Sequence, residues 1–128
     1  MAAASNYAEN LALKFLLGVN TAATRPSAHF VALFTTNPTD AGSGTEVSGT
    51  YYARTAVAFT VTDDTATNTA AVTFPAAGSN WGTVSHIGIY DASTAGNLIF
   101  HGSVTTAKQI DSGDTFTIST SNLSITLA

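Results

Sequence analysis

The chain has 128 residues, no cysteine, four Lys plus Arg against eight Asp plus Glu, and only 9% charged residues. That length supports one hydrophobic core and one domain over residues 1–128, while the missing cysteine excludes a disulfide framework, a Cys-based zinc site and a thiol nucleophile. A net charge of −4, with Lys14, Arg25, Arg54 and Lys108 scattered singly, leaves no basic stripe for a phosphate backbone and argues against nucleic acid as a partner. The surface is kept wet by Thr, Ser and Asn instead, and Thr alone is about one residue in six; its β-branched side chain suits extended, half-buried positions.

The first ten residues carry no early positive charge, and the apolar stretch from Leu11 to Val19 is broken by Lys14. The expectation is a soluble protein made in a cytoplasm, with neither signal peptide nor membrane partner. Residues Tyr7 to Leu17 read as the one strong helix: Asn6 is placed to cap it with Glu9 as reciprocal partner, and Gly18 to end it. Leu13, Leu16 and Leu17 share one flank and Leu11 and Phe15 the adjoining one, a wide apolar stripe that must lie against something. The plainer expectation is that the helix packs on its own domain; the sharper one is that it docks into a neighbour.

Beyond Pro26 the pattern changes to short extended runs separated by turn residues. Phe30 to Thr35 is apolar almost throughout, as in a strand covered on both faces. Thr39 to Thr50 is a Gly-rich surface loop or a long connection between strands, expected to be mobile and to serve with the helix as a contact element. In Tyr52 to Thr62, Val57, Phe59 and Val61 alternate with smaller residues, giving a strand that ends in the turn Asp63-Asp64-Thr65. Ala70 to Phe74 reads as another, stopped by Pro75. Val84 to Asp91 and Asn97 to Val104 form the clearest hairpin, with Ile87 and Ile89 on one face and His86, Gly88 and Tyr90 on the other. Asp111 to Asp114 is a tight turn before Phe116 and Ile118, and Leu123, Ile125 and Leu127 alternate in the last strand. Roughly seven short strands after one helix imply an all-β, antiparallel two-sheet β-sandwich, jelly-roll-like.

Little in the sequence points to catalysis or to a cofactor. His29, His86 and His101 fall on predicted strands, and a His-only metal site would require two of them to align, His86 and His101 being placed as cross-strand neighbours; no short-spaced ligand motif supports it. The paired acids sit in turns, which accounts for them. Tyr51-Tyr52 and Trp81 precede strands and have two readings: aromatic platforms for a sugar or protein partner, or, for Trp81, closure of the core with its N–H on a loop carbonyl.

Glu46…Tyr52-Ala53-Arg54, then Asn80-Trp81-Gly82 leading to His86-Ile87-Gly88-Ile89-Tyr90-Asp91, then Ser112-Gly113-Asp114 together resemble a family of small virion proteins of tailed bacteriophages, over nearly the whole chain. Its members are often labelled tail fibre proteins, and similar jelly-roll chains serve as capsid cement or decoration proteins. The resemblance implies a virion structural protein with no catalytic residue. The first expectation is a cement protein that binds the major capsid protein and copies of itself as a dimer or trimer, resisting disassembly by preferring the assembled shell; the alternative is a tail-fibre or receptor-binding module contacting tail proteins or host surface glycans. Contact residues on this reading are Leu13, Phe15, Leu16 and Leu17 of the helix, Glu46 of the loop, the aromatics Tyr51, Tyr52 and Trp81, and His86, Tyr90 and His101 as a subunit interface on a sheet face.

Overall fold

A computed structural model describes residues 2–19 and 24–127. In chain order the elements are β1 (Ala3–Ala4), α1 (Asn6–Leu16), β2 (Phe30–Phe34), β3 (Thr55–Ala56), β4 (Phe59–Thr62), β5 (Thr65–Asn68), β6 (Val72–Thr73), β7 (Gly82–Tyr90), β8 (Leu98–Ile110), β9 (Thr117–Ile118) and β10 (Ser124–Thr126). They build a five-stranded sheet in the order β1-β8-β7-β2-β3, faced by a three-stranded sheet β10-β5-β4 and a two-stranded one, β6-β9. The pairings between these strands are antiparallel. An all-β antiparallel sandwich with one short helix is therefore the observed architecture.

The period-two alternation decides what each face of the large sheet buries. Val31 and Leu33 of β2 and Ile87 and Ile89 of β7 point into the main core, where they meet Val72, Phe74, Phe116, Leu123 and Ile125 from the opposite layer. The residues between them, Ala32 and Phe34, face the other way and form a second small cluster with Tyr90 and Leu98. Both faces of β2 are thus covered, which explains its unbroken apolar sequence. The β7–β8 hairpin forms as its turn residues predict, although β8 runs on to Ile110, and a bulge after Ile89 shifts the register.

Four expectations need correction. The Tyr52–Thr62 run is not one strand, because the chain leaves β2 after Ala56 and re-pairs as β4 with β5. Strand β5 replaces part of the expected turn despite its polar sequence, Thr-Ala-Thr-Asn. Ser5, rather than Asn6, caps α1: its Oγ accepts the Ala8 N–H at 3.2 Å. Gly18 does close the helix, at φ +65, with the Val19 N–H reaching back to the Lys14 carbonyl at 3.1 Å.

The fourth concerns Thr39–Thr50, which is tied down along much of its length. Thr35 N–H donates to the Thr45 carbonyl at 3.0 Å and Val47 N–H to the Leu33 carbonyl at 2.9 Å, and Glu46 bridges Phe34, so the segment continues the edge of β2 where β3 stops. The Leu33 N–H, between these partners, donates to the Tyr52 hydroxyl at 3.0 Å. The segment is a loop, as expected, but one fastened to β2 by a single bridge at Glu46 and the bonds on either side of it.

Candidate partner-binding surface

Helix α1 is rooted at its start and overhangs at its end. At the root, Ser5 N–H donates to the Ile99 carbonyl at 2.8 Å, Ser5 Oγ donates to the Leu98 carbonyl, and Asn6 N–H donates to the Asp40 carbonyl at 3.0 Å. Asp40 in turn accepts from or pairs with the His101 ring at 2.8 Å. Only Ala8 of the helix is buried. Past it, Leu13, Phe15, Leu16, Leu17 and Val19 are 59–76% exposed. The expected packing of the apolar stripe on its own domain does not occur for these residues; of the stripe, Leu11 alone is half-buried. Large exposed apolar side chains in one contiguous stretch mark an interaction surface.

Most of the other predicted contact residues are engaged inside the molecule. Arg54 grips Glu46 with two parallel bonds, Nε to Oε2 and Nη2 to Oε1, each 2.9 Å, and the same Oε2 accepts the Tyr52 hydroxyl at 2.6 Å. Its remaining nitrogen, Nη1, donates to the carbonyls of Ala92 and Ala95 at 3.0 and 2.7 Å, pinning the β7–β8 turn. The guanidinium lies 3.8 Å from the centre of the Tyr90 ring, which stacks in turn on Phe34. Burial alone would raise the Glu46 carboxyl, but the bonds from Arg54 and Tyr52 and the Arg54 charge outweigh it and hold the pKa below its ordinary value. Arg54 is pushed up mainly by its bond to Glu46, and Tyr52 and Tyr90 are pushed up first by burial.

This network engages Glu46, Tyr52 and Tyr90, expected as partner contacts, within the chain itself: the Glu46 carboxylate is held by Arg54 and Tyr52, and the Tyr90 ring meets Arg54 and Phe34. Of its two readings, Trp81 takes the second and not that of a partner contact. It is 5% exposed, its Nε1 donates to the Thr50 carbonyl at 3.0 Å, and it meets Tyr52 edge-on, so it closes the core. Of the three proposed aromatic platforms only Tyr51 faces solvent.

The histidines do not converge. Across the hairpin Gly88 stands opposite His101, and His86 opposite Ser103, so the two residues share a face but are offset by two residues along the strands. His86 Nδ1 is 2.8 Å from Ser85 Oγ, His101 is held by Asp40, and His29 packs edge-on to Phe59. Among the described residues no three His, Cys, Asp or Glu side chains gather as metal ligands, and of the expected His86–Tyr90–His101 face, Tyr90 and His101 are largely covered by the chain's own segments. No helix among the described residues is long and apolar enough to cross a membrane.

A second apolar opening was not singled out from sequence. At one end of the sandwich, Phe59, Val61, Phe100, Ile125 and Leu127 line an open groove of about 430 Å³, with Asp63 and Asp64 at its rim. Val61 and Leu127 are 70% and 62% exposed. They continue the alternations that run through Phe59 and through Leu123 and Ile125, yet unlike Leu123 and Ile125 they lie open to solvent.

None of the curated proteins matches the chain. The model of one protein family, described as podophage GP4 fiber I protein gp80, matches residues 3–126. With nearly the whole sandwich and its overhanging helix inside that match, the chain belongs to this phage fibre family and is a virion structural protein of a tailed bacteriophage.

Proposed function

We propose that this protein is a fibre component on the tail side of the virion, working by binding rather than catalysis and held among its neighbours through the overhanging end of α1. The observation that carries this reading is the run of Leu13, Phe15, Leu16, Leu17 and Val19, exposed at the end of a helix whose root is firmly bonded to the sheet. An apolar surface presented in this way loses free energy on being covered, about 25 cal/mol for each Å² removed from water. The family description favours the tail over the capsid. Attachment to a glycan through Trp81, Tyr51 and Tyr52 is not the basis of this reading, since two of the three rings are committed to the core.

Capsid decoration is the second reading, favoured because the described residues form a sandwich with no long helix or stacked repeat of the kind that builds a shaft. Copies per particle separate the two. Particles produced with the Leu16→Asp/Leu17→Asp variant in place of the wild type are compared by quantitative mass spectrometry and negative-stain microscopy. The tail reading expects tens of copies or fewer in wild-type particles, lost from the tail in the variant. Hundreds of copies on the head would transfer the protein to the capsid, and full incorporation of the folded variant would remove α1 as the anchor.

A further inference from the structure

The molecule carries two unpartnered apolar features of opposite shape. One is convex, the overhanging end of α1; the other is concave, the groove of about 430 Å³ between the β4–β5 turn and the end of β10. Their charges are complementary. Lys14, half-buried, is the one cation on α1 and lies in its last turn, while the groove is lined also by the exposed carboxylates Asp63 and Asp64, with His29 as its one other titratable side chain. The helix end presents on the order of 500 Å² of apolar side chain, so covering it in a groove removes on the order of 1,000 Å² counting both partners. That is the lower limit for a specific protein–protein interface.

We infer that α1 of one copy docks into the Val61–Leu127 groove of another, head to tail, with Lys14 beside Asp63 and Asp64. This rests on the reading of α1 as the docking element and is independent of whether the protein sits on tail or head. Leu13, Leu16 and Leu17 recur at helical spacing and supply the ridge; Phe59, Phe100 and Ile125 form the floor that receives it. Every copy then has one knob and one socket. Such a heterologous contact closes into a ring if the rotation between copies allows it and otherwise extends as a chain.

The test uses the whole 128-residue chain, with mass measured by light scattering after size exclusion at about 5–100 µM (about a twentyfold span, to follow mass action). Wild type is expected to assemble beyond a monomer. A knob variant, Leu16→Asp/Leu17→Asp, and a socket variant, Val61→Asp/Leu127→Asp, are each expected to be monomeric with unchanged circular dichroism, since all four positions are exposed. Mixed together they are expected to form a 1:1 dimer and nothing larger, because the socket variant still has a helix and the knob variant still has a groove. Lys14→Glu is expected to weaken assembly about two- to fivefold, and adding Asp64→Lys to restore it. A monomeric wild type at 100 µM, an oligomeric socket variant, or a mixture that stays monomeric would each overturn the inference. The loss of the knob variant from particles would survive all three outcomes, so the failure of this inference and that of α1 as the anchor are distinguishable.

Discussion

Arg54 makes four hydrogen bonds with one side chain, joining the Glu46 edge segment, the β7–β8 turn and the Tyr90 face. Its side chain is 8% exposed against 26% for Glu46, so truncation leaves a carboxylate partly buried without its cation and two carbonyls without a donor. Arg54→Met is expected to lose about 2–3 kcal/mol in chemical denaturation, below the 3–5 of a fully enclosed pair because Glu46 keeps contact with water. The pair also fixes the response to pH. The Glu46 carboxyl lies below its ordinary 4.5 in the folded chain, so as pH falls the unfolded chain binds the proton first. Its contribution is complete above about pH 4.5 and is lost as the pH drops through the lower folded value. At the alkaline end Tyr52 and Tyr90, raised mainly by burial, add stability that is full below pH 10 and declines above it. Denaturation midpoints measured from pH 3 to 11 check both limbs, and Glu46→Gln is expected to flatten the acid limb while leaving the alkaline fall in place. Gly49 shows the same tightness without charge: a Cβ there would stand 2.2 Å from Trp81 Cδ1, inside a ring that cannot move without opening the core. Gly49→Ala is expected to cost about 1–3 kcal/mol and to alter the tryptophan fluorescence of the native state.

Helix α1 exists because its first turn is anchored, not because its apolar face is covered. Ser5 is 1% exposed and serves two partners, donating to the Leu98 carbonyl and accepting from Ala8 N–H. Ser5→Ala is expected to lower stability by about 1–2 kcal/mol, from the lost cap and a carbonyl left without its donor, and to reduce helical ellipticity at temperatures where the β signal is still intact. The helix itself was legible in the sequence, since Leu spacing and Gly18 mark its body and end. Its cap was misplaced by one residue because Ser5 and Asn6 are both good caps, and only the position of β8 chooses between them. The hairpin of β7 and β8 was equally legible, as Ile87 and Ile89 alternate cleanly around an interior that is apolar on one side. Strand β5 was not, and the reason is physical. Its pairing is held by a polar group: buried Asn68 accepts the Leu123 N–H at 3.0 Å and donates to the carbonyls of Ala70 and Ser119 at 2.9 and 3.0 Å. Hydrophobic periodicity carries no trace of such a residue. Nor does it distinguish the Glu46–Tyr52–Arg54 cluster from surface contacts, because the sequence lists the partners without showing that they meet.

Across the whole molecule residues 2–5 do more than lead into the helix. Ala3 and Ala4 pair with His101 and Phe100 at the edge of the five-stranded sheet, while Ala2 bridges Ile125 in the three-stranded one and is itself buried. Residues 2–5 therefore connect the two layers and cover part of the β8 edge. Deleting residues 1–18 consequently removes a structural connection together with the exposed helix, and any loss of assembly in that variant would have two causes. Substitution within the overhang separates them, because Leu16 and Leu17 contribute exposed side chains and little to the core. The truncated chain is expected to melt roughly 10 °C lower, the effect of about 2–3 kcal/mol in a domain of this size, and to scatter light on heating as bare β8 edges pair with one another. Leu16→Asp/Leu17→Asp is expected to melt within about 2 °C of a monomeric wild-type reference, the ordinary result of a surface change. Thermal unfolding followed by circular dichroism, with light scattering recorded on the same sample, compares the two. A truncated chain that stayed soluble and kept the wild-type midpoint would show that the sandwich closes without its N-terminal strand. The sequence would then have attached α1 to a complete fold as an independent docking arm, rather than threading it through the strand that joins the two sheets.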